Sequence, residues 1–161
     1  MSREMIGFIL VMLVFVVGAL VVLSVKRLRQ RQESELPAFL EAQDADGLNT
    51  FYVSTVYADR PLDRIWAYGV GIRGKARISA SETGVSINRV GERSILIPLE
   101  SVIEVGRAQA TIDKGVEKDG LTTIIWQHGN TKLQSVFRFT NLQARRGFES
   151  QLNQLIGAKL G

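Results

Sequence analysis

Hydrophobic and polar positions follow two different patterns along this chain. From Met5 to Val25 there are 21 consecutive residues without a charge, relieved only by Gly7, Gly18 and Ser24. At about 1.5 Å per residue, a helix of that length spans roughly 31 Å, the hydrocarbon thickness of a bilayer. The run therefore predicts a transmembrane helix. A cleaved signal would have a shorter apolar region ending in a small-x-small site; here Lys26-Arg27-Leu28-Arg29 follows instead. The polar stretch Arg27 to Glu35 prolongs the helix until Pro37, which cannot continue it. Residues 41–47, Glu-Ala-Gln-Asp-Ala-Asp-Gly, read as an acidic, turn-prone linker.

From Phe51 onward the period becomes two. Phe51–Tyr57 reads as a strand. Ala76, Ile78 and Ala80 alternate with polar neighbours up to a turn at Glu82-Thr-Gly84, and Val85 and Ile87 alternate beyond it. Gly91-Glu-Arg93 turns into Ile95–Leu99, and Val102–Ala108 forms a further strand. Asp113–Gly120 reads as a polar loop. Leu121–Gln127 and Leu133–Phe139 flank a hairpin turn at His128-Gly-Asn-Thr131. Six or seven short strands at this spacing predict a partly open antiparallel barrel or sandwich. The end differs: Asn141 can cap a helix, and Phe148, Leu152, Leu155 and Ile156 form one apolar stripe at helical spacing. Arg145, Arg146, Glu149 and Gln151 take the opposite, wet side, and Gly157 suits the stop. The fold class is a transmembrane helix (residues 1–25), a basic-then-acidic juxtamembrane linker (26–49), and a mainly-β domain (50–161) of about seven strands capped by a C-terminal amphipathic helix.

Charge sets the orientation. The chain has 20 basic and 16 acidic residues, a net charge of +4. Arg3 stands alone before the apolar run, whereas Lys26, Arg27, Arg29 and Arg31 follow it. Basic flanks are retained on the cytoplasmic side, so the N-terminus is expected outside and the domain in the cytoplasm, at the cell membrane. The same four residues are candidates for contact with anionic lipids. No Gly-x-x-x-Gly pair specifies a close helix dimer, although exposed sheet edges allow self-association.

The order of strands followed by one helix resembles a pleckstrin-homology-like (PH-like) domain over about Phe51 to Leu160. The residues that carry the resemblance are Arg64-Ile-Trp-Ala-Tyr-Gly69, Ala76-Arg-Ile-Ser, Gly84-Val-Ser-Ile, Ile97-Pro-Leu, Gly120-Leu-Thr and Phe137-Arg-Phe139. With its N-terminal helix, the chain is similar to a family of actinobacterial single-pass membrane proteins that have a bacterial PH-like domain and are often labelled uncharacterised or "transporter". The resemblance implies a binding fold rather than a reaction. It makes the long loop between the first two strands a candidate for anionic head groups through Arg60, Arg64, Arg73 and Lys75. Trp66 and Tyr68 in the same loop read first as core packing of an irregular strand or loop, and otherwise as aromatic anchors for a partner or the bilayer interface.

Enzyme chemistry is not expected. Cys is absent and His occurs once, at position 128, which excludes thiol nucleophiles and leaves no His or Cys partner for a metal. Gly69-Val-Gly71-Ile-Arg-Gly74 fits G-x-G-x-x-G, and Gly69-x4-Gly74-Lys75 nearly fits a P-loop. Both motifs need a following helix, however, and Lys75–Ser81 reads as a strand. The glycines then mark close backbone approach. Asp44-x-Asp46-Gly47 lacks the spacing of a calcium loop. His128 is expected on the surface of its turn, Trp126 in the core, and Asp59 and Asp63 in loop ion pairs with Arg60. No cofactor, metal or nucleic acid is expected. The expected function is a membrane-anchored, non-enzymatic binding or scaffolding module for a membrane or cytoplasmic protein. The alternatives are anionic-lipid recognition on the inner leaflet, or an accessory subunit of a transport or envelope complex.

Overall fold

The computed structural model describes residues 3–43, 46–107 and 121–160. Helix α1 spans Arg3–Glu35. Its side chains from Glu4 to Arg31 are exposed throughout, so the apolar run has no core to bury against. It is long and apolar enough to cross a membrane. The polar end carries ion pairs at i,i+4, Arg29–Glu33 at 2.8 Å and Arg31–Glu35 at 3.0 Å. Leu36 N–H still donates to Gln32 O at 2.9 Å, and Pro37 then stops the helix because its ring disfavours helical geometry in the residue before it.

Eight strands follow: β1 (Leu48–Tyr57), β2 (Arg60–Arg64), β3 (Gly74–Ser81), β4 (Gly84–Arg89), β5 (Ile95–Pro98), β6 (Val102–Arg107), β7 (Leu121–His128) and β8 (Thr131–Arg138). They form one antiparallel sheet in the order β5-β4-β3-β1-β8-β7-β6, with β2 paired to β1. β3 pairs with the first half of β1, Leu48 to Tyr52, and β2 takes its far end at Val56 and Tyr57. The sheet does not close. The expected count of about seven strands is thus one short. The extra strand is β2, within what reads as a loop: Arg-Pro-Leu-Asp-Arg is exposed at almost every position and shows no alternation.

The inner face of the sheet carries Tyr52, Ile78, Ile87, Ile97, Ile124, Trp126, Leu133 and Phe137. Helix α2 (Leu142–Leu160) covers it with Phe148 and Leu152, which are fully buried, and with Leu155 and Ile156 at the margin. Asn141 caps α2, its Oδ1 accepting from Gln143 N–H at 2.8 Å. Trp126 is core, with its indole N–H on Ser135 Oγ at 3.1 Å. Two expectations for α2 are corrected. Gly157 does not end the helix, which continues through it to Leu160. Arg145 is buried rather than wet, beside Glu149 of the same helix, which β7 in turn engages. Glu149 accepts from Thr122 Oγ1 at 2.7 Å and lies 3.8 Å from Arg145 Nε. Ala108, at the expected end of a strand, and the expected loop Asp113–Gly120 lie outside the described residues, as does Asp44 of the acidic segment.

Candidate functional site at the junction of helix and sheet

Among the described side chains of α1, Gln32 is the one that is nearly fully buried, although most of its helix neighbours face solvent. Its Oε1 accepts from Trp66 N–H at 2.7 Å and Ala67 N–H at 3.3 Å, and its Nε2 donates to Arg64 O at 3.2 Å. One amide thus satisfies three backbone groups of the β2–β3 loop. Beside it, Glu33 Oε1 accepts from Tyr68 N–H at 3.3 Å. In return, the Tyr68 hydroxyl donates toward Glu33 O (3.2 Å) and Leu36 O (3.1 Å), carbonyls that the end of a helix leaves without partners. The helix and the loop therefore complete each other's hydrogen bonds.

The loop is shaped to receive that contact. Tyr68 has φ +52°, a left-handed conformation that a bulky residue adopts only when its surroundings hold it there. At Gly71 any Cβ would stand 2.6 Å from Ile65 O, so the glycine permits the tight return of the chain. Below the loop, the buried Tyr52 hydroxyl donates to Val70 O at 2.6 Å and contacts Thr55 Oγ1 at 2.6 Å. Burial pushes its pKa up to about 12, so it is a neutral strut. Of the glycines in the G-x-G-x-x-G match, Gly71 is required by close backbone approach and Gly69 by its φ of +73°, whereas a Cβ at Gly74 would meet nothing within 4 Å, so the expected close approach does not hold there. A strand follows the motif, and the N–H groups of Trp66, Ala67 and Tyr68 just before it are already bonded to Gln32 and Glu33.

Residues 36–43, expected as linker, instead form a strap across the domain. Leu36 and Ala42 are buried. Leu40 O accepts from Leu96 N–H at 2.8 Å on the edge of β5, and Ala42 O accepts from Ser94 Oγ at 2.6 Å. The Phe39 ring meets Tyr68 edge-on at 5.4 Å and stacks on His128 at 4.4 Å. His128 is thus half-buried rather than a plain surface turn residue, and its Nε2 lies 2.8 Å from Pro37 O.

Between α1 and the β1–β2 hairpin lies a cleft of about 570 Å³. It is lined by Leu28, Arg31, Gln32 and Glu35 of the helix, and by Tyr57, Arg60, Leu62, Asp63, Arg64 and Trp66 of the sheet. The candidate residues divide on this geometry. Arg60, Arg64 and Trp66 line the cleft, and Tyr68 is committed to α1. Arg73 and Lys75 are exposed and lie outside the cleft, with Lys75 in β3 opposite Phe51. Arg60 is ion-paired with Asp59 at 3.6 Å and Asp63 at 3.2 Å, as expected, and covers the Tyr57 ring at 4.5 Å. Of the basic residues that follow the apolar run, Arg29 and Arg31 pair with Glu33 and Glu35, while Lys26 and Arg27 are exposed on α1. Among the described residues, no cluster of His, Cys, Asp or Glu could hold a metal ion.

The family model for bacterial PH domain-like proteins matches residues 30–153. The chain belongs to that family. The match begins inside α1, so Gln32 and the strap fall within the PH-like domain's own span. A comparison with curated proteins finds no match.

Sequence reasoning missed Gln32, Glu33 and Phe39, and it assigned His128 to the surface. Leu36, Phe39 and Leu40 were a usable signal, being apolar residues clustered in a segment read as linker. Gln32 offered none, since one buried amide on a polar helix has no periodic signature.

The junction should respond to acid. A hydrogen bond from Arg29, then one from Tyr68 N–H, hold the Glu33 carboxyl below its ordinary 4.5. A lowered carboxylate pKa contributes stability that is fully present above the unfolded value and is lost as pH falls through the folded one. The helix–loop distance, read by paired spin labels, should stay fixed above about pH 4.5 and broaden below it. Glu33→Gln should remove the response, and an identical acid response in that variant would exclude Glu33 as its source.

Proposed function

We propose that this protein is a non-enzymatic, single-pass membrane protein whose PH-like domain is a binding module held in fixed orientation at the cytoplasmic face. The observation that carries the reading is the Gln32 junction. Gln32 stands seven residues beyond Val25, about 10 Å along the helix, so the domain has no slack with which to leave the membrane surface. Holding a domain in place raises its effective concentration for a neighbouring partner, so weak contacts suffice. Two surfaces are available to a membrane or cytoplasmic protein: the hairpin beside the cleft, with Arg60, Arg64 and Trp66, and the end of the loop, with Arg73 and Lys75.

The test is alkaline carbonate extraction with reporter fusions at both ends, followed by crosslinking in intact cells from labels on the two surfaces. The reading expects a carbonate-resistant chain, a cytoplasmic C-terminus and a stoichiometric protein crosslink from one surface. Release into the soluble fraction, or an external domain, would overturn it.

Recognition of an anionic lipid surface is the second reading, and the separation of Arg64 from Arg73 and Lys75 weighs against a clustered cationic site. A third reading, an accessory subunit of a transport or envelope complex, would use the exposed apolar face of α1 as the interface. A foreign anchor in place of Met5–Val25 would then abolish function.

A further inference from the structure

On the outer face of the sheet, Phe51 stands in β1 between two cations, opposite Lys75 on β3 and opposite Arg138 on β8. Directly opposed residues of antiparallel strands point to one face, so the three side chains lie side by side. Their chain neighbours Tyr52, Ala76 and Phe137 point the other way, into the core. Val90 extends the row, its N–H donating to Lys75 O at 3.0 Å, and Arg77 lies two residues along β3, opposite Asn49. Lys75, Arg77 and Arg138 are exposed, Phe51 is 37% exposed and Val90 77%. Among the described residues, no carboxylate lies within 4.0 Å of any of these three cations. Arg29, Arg31 and Arg60, by contrast, are each ion-paired. A face that mixes unopposed cations with uncovered apolar side chains is complementary to one that is acidic and apolar.

Spacing selects the form of the partner. Neighbouring strands are about 4.8 Å apart, so Lys75 and Arg138 stand about 10 Å apart across Phe51, and Val90 is one strand beyond Lys75. On an extended chain, side chains of one face recur about every 6.8 Å, which does not fit. On a helix, acids seven residues apart stand about 10.5 Å apart, with the position three or four residues on between them. A helix laid across the strands thus sets two carboxylates on Lys75 and Arg138 and an apolar side chain on Phe51. The apolar position one turn further along reaches Val90, and Arg77 borders the same line. Neither α1 nor α2 carries two acids seven residues apart, so neither helix of a second copy matches. The row also stands apart from the anchor. Tyr57, at the other end of β1, lines the cleft with Leu28 and Arg31, and Phe51 is six residues, about 20 Å, from it. That distance favours a protein over the bilayer surface.

We propose that the outer sheet face formed by Phe51, Lys75, Arg77, Val90 and Arg138 docks an acidic amphipathic helix of a partner protein. The inference rests on the binding-module reading above and deepens it by naming the surface and the chemistry of its partner. Lys75 and Arg138 take the two acids, and Phe51 between them takes the apolar side chain. The ion pairs are solvent-exposed, so they set orientation and register, while the apolar contacts at Phe51 and Val90 resist salt.

The test uses the full chain in phosphatidylcholine nanodiscs and a fluorescent, stapled helical peptide that presents Leu, Glu, Leu and Glu in that order along one face, its acids seven residues apart. A stapled peptide of the same composition, with the face scrambled, is the control. By anisotropy the patterned peptide should bind about tenfold more tightly than the scrambled one, the difference that two ion pairs and two apolar contacts supply. Lys75→Gln with Arg138→Gln should weaken it about tenfold and flatten its salt dependence. Phe51→Ala should weaken it about fivefold with the salt dependence retained. Lys132→Gln, which removes an exposed cation six residues along β8 from Arg138, should change nothing. Equal affinity for both peptides, or undiminished affinity in the Lys75→Gln, Arg138→Gln variant, overturns the proposal. So does tighter binding of poly-uridylate or of phosphatidylglycerol vesicles through the same residues, which would make this a nucleic-acid or membrane surface. Binding that is lost in Arg60→Gln and kept in the double variant moves the site to the hairpin, overturning this proposal and leaving the binding-module reading intact. An external domain in the reporter fusions overturns that reading whatever the peptide does.

Discussion

Gln32→Ala is expected to uncouple the PH-like domain from its helix while leaving the sheet folded. The substitution removes the partner of Trp66 N–H, Ala67 N–H and Arg64 O at once. Each buried backbone group left unpaired costs about 1–3 kcal/mol, and partial relaxation of the loop toward water brings the expected total to roughly 2–4 kcal/mol. The strain at Tyr68 adds to the effect, because its left-handed conformation persists only while the surroundings enforce it. The loss should be local. The buried core contacts of β3, β4, β7 and β8 do not pass through Gln32. Amide exchange at residues 64–70 should therefore rise while exchange in β7 and β8 stays slow. The distance between labels at Ser24 and Arg77, both exposed, should change from one narrow population to a broad one. Gln32→Glu keeps both acceptor contacts and loses only the donor to Arg64 O, so it should lie between the two. A narrow distance distribution in Gln32→Ala would mean that the strap and the Tyr68 bonds to Glu33 and Leu36 hold the domain without Gln32, and the fixed-orientation reading would lose its main support.

This junction also shows where the sequence stops being informative. Period-two alternation is visible wherever one face of a strand is buried, as at Ala76, Ile78 and Ala80 in β3, and those elements were legible. The stripe of Phe148 and Leu152 and the Asn141 cap were legible for the same reason: helix burial and capping leave regular marks. β2 left no such mark. Its residues are exposed, and its strand geometry comes from two register pairs with the far end of β1. Arg145 was misplaced because a charge is assigned to solvent by default, whereas Thr122 and Glu149 give this face of α2 a polar seat. The candidate site was legible as composition but not as arrangement. Trp66, Tyr68 and the basic residues stood out by type. Whether they gather depends on α1, which enters the loop through a glutamine with no pattern around it and takes up Tyr68, while Arg73 and Lys75 remain outside the cleft.

Phe148→Ala should produce a global loss of stability, in contrast to the local one at Gln32. Phe148 is 1% exposed, its ring lies 5.6 Å from that of Phe139, and Leu152 beside it is fully buried. An open sheet has an apolar inner face that needs a cover, and here α2 supplies it over β3 and β6. Truncation removes most of the ring from a close-packed site and leaves a cavity that the helix cannot fill without shifting, at a cost of about 3–5 kcal/mol. For a domain of this size the midpoint of thermal unfolding of the full chain should fall by roughly 10–20 °C. Phe148→Leu, which retains much of the volume, should lose less than half as much. The same variant should leave the Ser24–Arg77 label distance unchanged at temperatures where the domain is folded, because none of the Gln32 contacts involves α2. A fall of under about 3 °C would mean that α2 is a dispensable flap rather than the cover of the core. A broadened label distance in the folded variant would instead tie α2 to the junction, and the β2–β3 loop and the C-terminal helix would then have to be treated as one cooperative unit.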